Sequence, residues 1–151
     1  MRKYIVTLTL AALAACSNPQ QISVAGAPEK EATVVPAPLE AVWWAIIDVV
    51  AEYDLKLETM DLGRGYIRSE RTAFENAAVA GYWVCVPEPS SEPDGVLSIR
   101  AVPVNDGETS LEVSAVPIAQ DGRLCTSNGV LEAEVSSRVF RRWQELTADQ
   151  Q

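Results

Sequence analysis

The spacing of apolar residues changes period twice along this chain, and that change limits the fold more than any other feature of the sequence. Residues 39–53 repeat apolar side chains at the i, i+3, i+4 and i+7 spacing of an amphipathic helix. Pro38 precedes this stretch, at a position of the first helical turn where a missing N–H has no consequence. The apolar stripe consists of Leu39, Val42, Trp43, Ile46, Val49, Val50 and Tyr53.

The helical period returns near the C-terminal end of the chain. Ser127 or Asn128 can cap a helix there, and Glu132 follows close to its positive end, where the helix dipole stabilises a carboxylate. Arginines stand toward the opposite end, which favours positive charge. The apolar stripe of this second predicted helix consists of Leu131, Val135, Val139 and Leu146, widened by Phe140 and Trp143.

Between the two helices the apolar period is 2, which is typical of half-buried strands. A polar loop punctuated by prolines at 87–95 separates two of these stretches, and the Asn-Asp-Gly sequence at 105–107 is a strong hairpin signal. Pro103 and Pro117 cannot donate to a strand ladder, so we expect them at strand ends, bulges or edges. Strands are predicted at 33–35, 55–59, 66–74, 81–86, 96–104 and 109–116.

The helices and strands together predict one α+β domain over residues 32–146. Two amphipathic helices each need an apolar wall, and one face of a sheet can supply both. We therefore expect a two-layer sandwich, in which an antiparallel sheet of about five strands carries both helices on one face. Residues 147–151 are predicted to be a disordered tail.

The N-terminus has the parts of a bacterial export signal. Two basic residues, Arg2 and Lys3, precede an apolar run at 5–13 that is shorter than the about 20 residues a transmembrane helix needs. The run ends in Leu-Ala-Ala followed by Cys16, an order that resembles the lipobox of bacterial lipoproteins. The resemblance implies that residues 1–15 are removed and that Cys16 receives lipid. The alternative is an ordinary signal peptide whose cleavage site happens to lie near a cysteine.

Residues 16–31 combine the predicted lipid site with a stretch poor in large apolar groups, which predicts a flexible tether. Two or more acyl chains hold a protein firmly, so the membrane is a predicted partner through the lipid on Cys16. Ser17 follows the cysteine, where an aspartate would indicate retention in the inner membrane of enteric bacteria. By that resemblance we expect the outer membrane, with the domain facing the periplasm.

Two cysteines remain in the predicted domain. Cys85 and Cys125 form an even pair in an oxidising compartment, which favours a disulfide. Two buried free thiols or a pair of metal ligands are the alternatives. The chain contains no histidine, and two thiolates do not complete a tetrahedral zinc site, so no metal is predicted.

The acidic composition excludes several function classes. Nucleic-acid binding needs a clustered basic face, and the net charge of −9 argues against one in this chain. Without histidine, the Ser-His-Asp and Cys-His arrangements are impossible, and no glycine-rich phosphate loop is present. Glu132 with Glu134 could be a catalytic carboxylate pair, but the start of a helix explains them better. We expect no catalytic residue, no cofactor and no enzymatic activity.

An adjacent pair of tryptophans is the first candidate contact. On a helix Trp43 and Trp44 lie about 100° apart, so at most one points to the centre of the buried stripe. One interpretation places both in the core, one of them at its margin. The other makes Trp44 a partly exposed contact for an envelope protein partner.

Three arginines are the second candidate contact. Arg64, Arg68 and Arg71 lie close together in an otherwise acidic chain. Arg68 and Glu70 share a strand face, so cross-strand ion pairing is one interpretation. The other is a basic surface that meets lipopolysaccharide phosphate, a glycan carboxylate or an acidic partner.

Four features recur together in one group of proteins: the lipobox at Cys16, a first helix with tryptophans, the mid-domain Cys85, and the sequence Cys-Thr-Ser-Asn-Gly-Val-Leu-Glu at 125–132. With them the chain resembles small proteobacterial lipoproteins and, more loosely, the helix-grip domain of BamC, a lipoprotein of the outer-membrane β-barrel assembly machinery. The resemblance implies a non-enzymatic adaptor or accessory subunit of an envelope complex. The alternative is a periplasmic module that binds a small apolar ligand or a glycan.

Overall fold

The computed structural model describes residues 32–74, 81–86, 93–118 and 124–148, so the predicted signal peptide, the lipid site at Cys16 and the tether lie outside it. No helix in the described part of the chain is long and apolar enough to cross a membrane. The described helices are α1 (Leu39–Glu52) and α2 (Val130–Ala148). The described strands are β1 (Thr33–Val35), β2 (Leu57–Asp61), β3 (Tyr66–Ser69), β4 (Trp83–Val86), β5 (Asp94–Asn105), β6 (Glu108–Ile118) and β7 (Leu124–Ser127).

Five of the strands form one antiparallel sheet in the order β1-β6-β5-β3-β2. On one face of this sheet, α1 packs against β5 and β6, and α2 packs against β6. The two helices run antiparallel, because Asp48 pairs with Arg142 and Glu52 pairs with Arg138. The predicted α+β class, with a mostly antiparallel sheet and two helices, is confirmed.

The core lies between the sheet and the two helices. Two polar side chains of the described residues are buried with it, and both are hydrogen-bonded: Thr109 Oγ1 donates to the Ala37 carbonyl at 2.8 Å, and Ser69 Oγ accepts from the Leu97 N–H at 3.0 Å. Both hydroxyls therefore keep a hydrogen-bond partner in the core, where an unpaired hydroxyl would destabilise the fold. The largest fully buried apolar side chains are Val35, Val42, Ile46, Val49, Ile67, Ile99, Leu111, Leu131, Val135 and Val139.

A two-stranded sheet of β4 and β7 is the main departure from the predicted elements. The strand predicted at 81–86 forms, but it pairs with β7 instead of entering the main sheet. The sequence did not predict β7, because Ser127 is interpreted there as a cap of α2 and the three residues before it show no alternation. The strand predicted at 66–74 ends at Ser69, and only an isolated bridge between Thr72 and Gly95 follows. At the other end of the chain, α2 continues past residue 146 to Ala148.

The turn between β2 and β3 requires glycine. A 3-10 turn at Leu62–Arg64 ends at Gly65, whose φ of 59° is left-handed. The Gly65 carbonyl accepts a hydrogen bond from the Ala101 N–H at 2.7 Å, and a side chain at Gly65 would collide with the Ala101 carbonyl. The turn is thereby fastened to β5, the next strand of the sheet.

The two strand prolines occupy the kinds of position that the sequence predicts. Pro103 lies beside an irregular step in the pairing of β5 with β6, and Pro117 is the last residue but one of β6. Neither interrupts the central part of a ladder, where a missing N–H would remove a hydrogen bond.

Candidate binding groove

The two sides of α2 carry different kinds of side chain. On one side Glu134, Arg138 and Arg142 bond to α1 or to Tyr53 just beyond its end. On the other side most side chains are small, so the helix leaves space beside the edge of the sheet. The residues of that side are Ala133, Ser136, Ser137 and Phe140, and Gly129 lies just before the helix beside them.

A groove of about 900 Å³ runs along the small-residue side of α2, and we call it the α2–β6 groove. Its opposite wall is β6 at residues 113–117, β7 bounds it at 125–127, and Ala32 and Thr33 lie where β1 meets β6. The lining is largely apolar. Among the described residues Glu132 is its one ionisable side chain, and no basic side chain contributes to it.

Glu132 joins the start of α2 to the sheet. One carboxylate oxygen accepts from the Ala115 N–H at 3.1 Å, and the other accepts from the Ser127 hydroxyl at 2.7 Å. Ser127 Oγ in turn accepts from the Gly129 N–H at 3.1 Å, and Asn128 Oδ1 accepts from the Val130 N–H at 3.0 Å. The acidic residue at the helix start is therefore a structural bridge, and both Ser127 and Asn128 help to cap α2.

One edge of β6 is covered over only a short distance. On one side, β6 is paired with β5 along the whole length of β6. On the other side β1 pairs only with Thr109, Ser110 and Leu111. Beyond Leu111 the described residues place no hydrogen-bonded strand on that side, since β7 pairs with β4. The α2–β6 groove lies along this uncovered part of the edge.

The disulfide predicted from the cysteine count is present. Cys85 and Cys125 are bonded, and they stand directly opposite each other in β4 and β7 with their Cα atoms 4.1 Å apart. Cys125 also contributes to the groove lining. The disulfide thus links β7, which bounds the groove, to β4.

The tryptophan pair is divided between the core and the surface. Trp43 is 6% exposed and belongs to the core, whereas Trp44 is 64% exposed on the outer side of α1. The interpretation that places both side chains in the core is therefore wrong for Trp44. A contact between Trp44 and a protein partner stays a prediction.

The three candidate arginines each have an acidic partner. Arg68 Nε donates to Glu58 Oε2 at 2.8 Å across β2 and β3, and Arg71 Nε donates to Asp94 Oδ2 at 2.7 Å. Arg64 lies in the turn after β2, where its side chain is largely exposed and stands 3.6 Å from Asp61. These pairs match the ion-pairing interpretation, although the partner of Arg68 is Glu58 and not Glu70, which shares its strand face in the sequence. A basic surface for an acidic partner stays a prediction.

A second polar cluster lies between α1, α2 and β4. Glu134 accepts hydrogen bonds from Tyr53 at 3.0 Å, from Tyr82 at 3.1 Å and from Arg138 at 2.8 Å. Burial is the largest influence on the pKa of Glu134 and would raise it, but these hydrogen bonds together lower it. Burial raises the pKa of Tyr53, and its bond to Glu134 raises it further. These three donors hold the Glu134 carboxylate in its ionised form. Glu134 therefore serves as a structural link between α1, α2 and Tyr82.

Residues 32–74, 81–86, 93–118 and 124–148 contain no group of three His, Cys, Asp or Glu side chains that could hold a metal ion. No family model and no curated protein matches the chain. The adenylate sensor of AMP-activated protein kinase, a solved structure, is 10% identical, with 74% of this chain and 93% of that one covered and a TM-score of 0.43.

Two further solved structures are similar over comparable lengths. A conserved protein from Geobacillus kaustophilus is 13% identical, with 78% of this chain and 93% of that one covered and a TM-score of 0.36. The Zhui aromatase/cyclase from a Streptomyces species is 18% identical, with 76% of this chain and 89% of that one covered and a TM-score of 0.33. Such low similarity supports no statement about a site, and the resemblance to BamC stays a prediction.

Sequence reasoning did not find the α2–β6 groove. Its clearest local signal is a row of small residues that the apolar stripe of α2 does not include: Gly129 just before the helix, and Ala133 and Ser136 on it. Small side chains on a helix surface are common, however, and they create a groove only where the helix lies beside an uncovered strand edge. That neighbour cannot be read from the helix sequence.

Proposed function

We propose that this chain is a lipid-anchored envelope protein whose domain binds a largely apolar guest in the α2–β6 groove. The groove carries the proposal: its volume of about 900 Å³ lies within the roughly 300–1,000 Å³ typical of ligand sites. Its mainly apolar lining favours an apolar guest over a glycan, which needs many polar partners. In this proposal the lipid on Cys16 anchors the protein in the outer membrane, with the domain facing the periplasm.

Binding fits the side chains of the groove better than catalysis. Glu132 is the one ionisable side chain in the described lining, and both of its oxygens already accept hydrogen bonds within the protein. General acid–base work needs a group that reaches the reacting atom and exchanges a proton with it. Glu132 instead joins α2 to β6 and β7, and so helps to define the shape of the groove.

A substitution that fills the groove tests the proposal. Ser136 lines the groove on α2, whereas Gln144 is exposed on the same helix outside the lining. We expect Ser136→Phe to remove the fluorescence enhancement of a neutral apolar dye, N-phenyl-1-naphthylamine, and Gln144→Phe to leave it unchanged. Full-length proteins are compared in identical phosphatidylcholine nanodiscs, so that dye in the lipid contributes equally. Equal enhancement in all three proteins would contradict binding in the groove.

An adaptor function is the second candidate, and the exposure of Trp44 favours it. Large aromatic side chains often dominate the energy of protein contacts, and Trp44 is mostly exposed on the outer side of α1. We expect Trp44→Ala to keep the stability of the domain and to lose an envelope protein in crosslinking from native membranes. Recovery of the same crosslinked proteins with wild type and variant would contradict this candidate.

A further inference from the structure

We propose that the guest of the α2–β6 groove is an amphiphile with one extended hydrocarbon tail and an ammonium head group, which binds Glu132. This inference rests on the proposed binding function and names the class of guest. The tail lies along α2, and the head group lies where α2 begins.

The walls of the groove are long enough for an extended tail. The lining residues of α2 follow one face of the helix for more than two turns, a length of about 12 Å. The opposite wall, β6 at residues 113–117, extends for about 14 Å. A single hydrocarbon tail that lies between these walls meets a largely apolar lining along its length. The lining residues on α2 are Glu132, Ala133, Ser136, Ser137 and Phe140.

The two ends of the α2 wall differ in polarity. Glu132 lies in the first turn of α2, and Ser127, whose hydroxyl donates to it at 2.7 Å, also lines the groove. Phe140 lies about two turns further along the helix and places an aromatic ring in the lining there. An amphiphile therefore fits best in one direction, with its head group beside Glu132.

Glu132 has a negative charge that its neighbours do not neutralise. Its two donors, the Ala115 N–H and the Ser127 hydroxyl, are uncharged groups. The positive end of a helix is equivalent to only about half an elementary charge. No basic side chain belongs to the described lining. A carboxylate has about four lone-pair sites, so Glu132 can accept further hydrogen bonds from the N–H groups of an ammonium.

A guest that fills the groove displaces water from Glu132, and this makes its head group important. A wholly apolar guest would leave part of the carboxylate without donors, and an unpaired buried charge is strongly unfavourable. An ammonium supplies both the donors and the opposite charge. A carboxylate or phosphate head group would bring like charges together in a chain whose net charge is −9.

Three amphiphiles with the same decyl tail test the head group: decylamine, decanol and decanoate. Each competes at neutral pH with N-phenyl-1-naphthylamine for the full-length protein in phosphatidylcholine nanodiscs. Empty nanodiscs correct for the dye and amphiphile that enter the lipid. We expect decylamine to displace the dye at a concentration about tenfold lower than decanol does, because hydrogen bonds between charged groups are stronger than neutral ones. Decanoate should be the weakest competitor.

Two charge variants separate Glu132 from the overall charge of the chain. Glu132→Gln removes the charge but keeps an oxygen that can accept from the Ala115 N–H, so the advantage of decylamine over decanol should fall to about twofold or less. Glu40→Gln removes the same charge from an exposed residue in the first turn of α1, outside the lining, and should keep the full advantage. Circular dichroism verifies that both variants are folded.

A lysine in the groove gives a second test that leaves Glu132 in place. Ser136 lies four positions after Glu132, so the side chain of Ser136→Lys can pair with that carboxylate across one helical turn. We expect decylamine to lose its advantage in this variant and decanoate to compete better than in wild type. Gln144→Lys adds the same charge to α2 outside the lining and should leave the order of the three amphiphiles unchanged.

The outcomes distinguish this inference from the proposed function. If Ser136→Phe removes the dye signal but decanol or decanoate competes as well as decylamine, the ammonium head group is wrong and apolar binding in the groove stands. The same conclusion follows if the advantage of decylamine persists in Glu132→Gln or in Ser136→Lys. If Ser136→Phe leaves the dye signal unchanged, both proposals are wrong.

Discussion

The hydroxyl of Tyr53 donates a 3.0 Å hydrogen bond to Glu134, 81 positions later in the chain, and so connects the end of α1 to α2. Tyr82 donates to the second carboxylate oxygen at 3.1 Å. Arg138 donates to the first oxygen at 2.8 Å, and its guanidinium lies 5.1 Å from the centre of the Tyr53 ring. A single carboxylate thereby joins both helices and the residue that precedes β4.

Removal of the Tyr53 hydroxyl should destabilise the domain measurably. Tyr53→Phe deletes one donor to a partly buried carboxylate, so we expect the free energy of unfolding to fall by about 1–2 kcal/mol. Tyr66→Phe is the control, because the Tyr66 hydroxyl makes a long 3.5 Å contact with Ser98 and a contact with the surface residue Arg68, and should matter by less than about 0.5 kcal/mol. Urea denaturation measures both variants. Equal losses would show that the Glu134 cluster has no special role.

The same cluster predicts how stability depends on pH. The lowered pKa of Glu134 means that its contribution is present above its ordinary value of 4.5 and is lost as the pH falls through the lowered pKa. The raised pKa of Tyr53 means that its contribution is present below the ordinary value of 10.0 and is lost as the pH rises through the raised pKa.

Wild type and Tyr53→Phe, unfolded in urea at several pH values, test this dependence. We expect the difference in unfolding free energy between them to be constant from about pH 6 to pH 9 and to shrink in acid, where Glu134 becomes protonated. A difference that stays the same at every acid pH at which both proteins are still folded would contradict the assigned cause.

Loss of the disulfide should weaken the whole domain. The bond joins cysteines 40 positions apart, for which the chain-entropy model gives about 4 kcal/mol, although measured losses are often nearer 2 kcal/mol. We expect the Cys85→Ser/Cys125→Ser double variant to unfold at a lower urea concentration than wild type by a corresponding amount. Reductant should shift the wild type in the same direction and leave the double variant unchanged.

The two tryptophans should respond oppositely to truncation. Trp43 is buried in the core, so Trp43→Ala should lower the free energy of unfolding by roughly 3–5 kcal/mol. Trp44 is mostly exposed, so Trp44→Ala should change it by less than about 0.5 kcal/mol. Thermal or urea denaturation compares the pair within one helix. A large loss with Trp44→Ala would mean that its outer position is important for packing.

The proposed lipidation of Cys16 predicts the cell fraction in which the protein is found. Cys16→Ser should move the chain from the membrane fraction to the soluble fraction and remove the mass of the acyl groups, because the lipid supplies the membrane affinity. The Cys85→Ser/Cys125→Ser variant is the control for a lost cysteine and should stay with the membrane. A Cys16→Ser protein that remains in the membrane fraction would contradict the anchor.

Several features of the fold were predictable from the sequence because they depend on local periodicity. The helix predicted at 39–53 is found at Leu39–Glu52, since its apolar stripe and Pro38 define both its buried side and its start. The hairpin signal at 105–107 joins β5 to β6 as predicted. The pairing of Cys85 with Cys125 followed from a count of cysteines in a chain with a predicted export signal.

Only the tertiary structure decided what each surface became. The helical angle between Trp43 and Trp44 is fixed by the sequence, but the layer that covers one and not the other comes from the packing of α1 on the sheet. The α2–β6 groove arises because small residues on α2 lie beside an edge of β6 that the three residues of β1 cover only in part. Distant segments create such a space together, so no pattern within one of them could predict it.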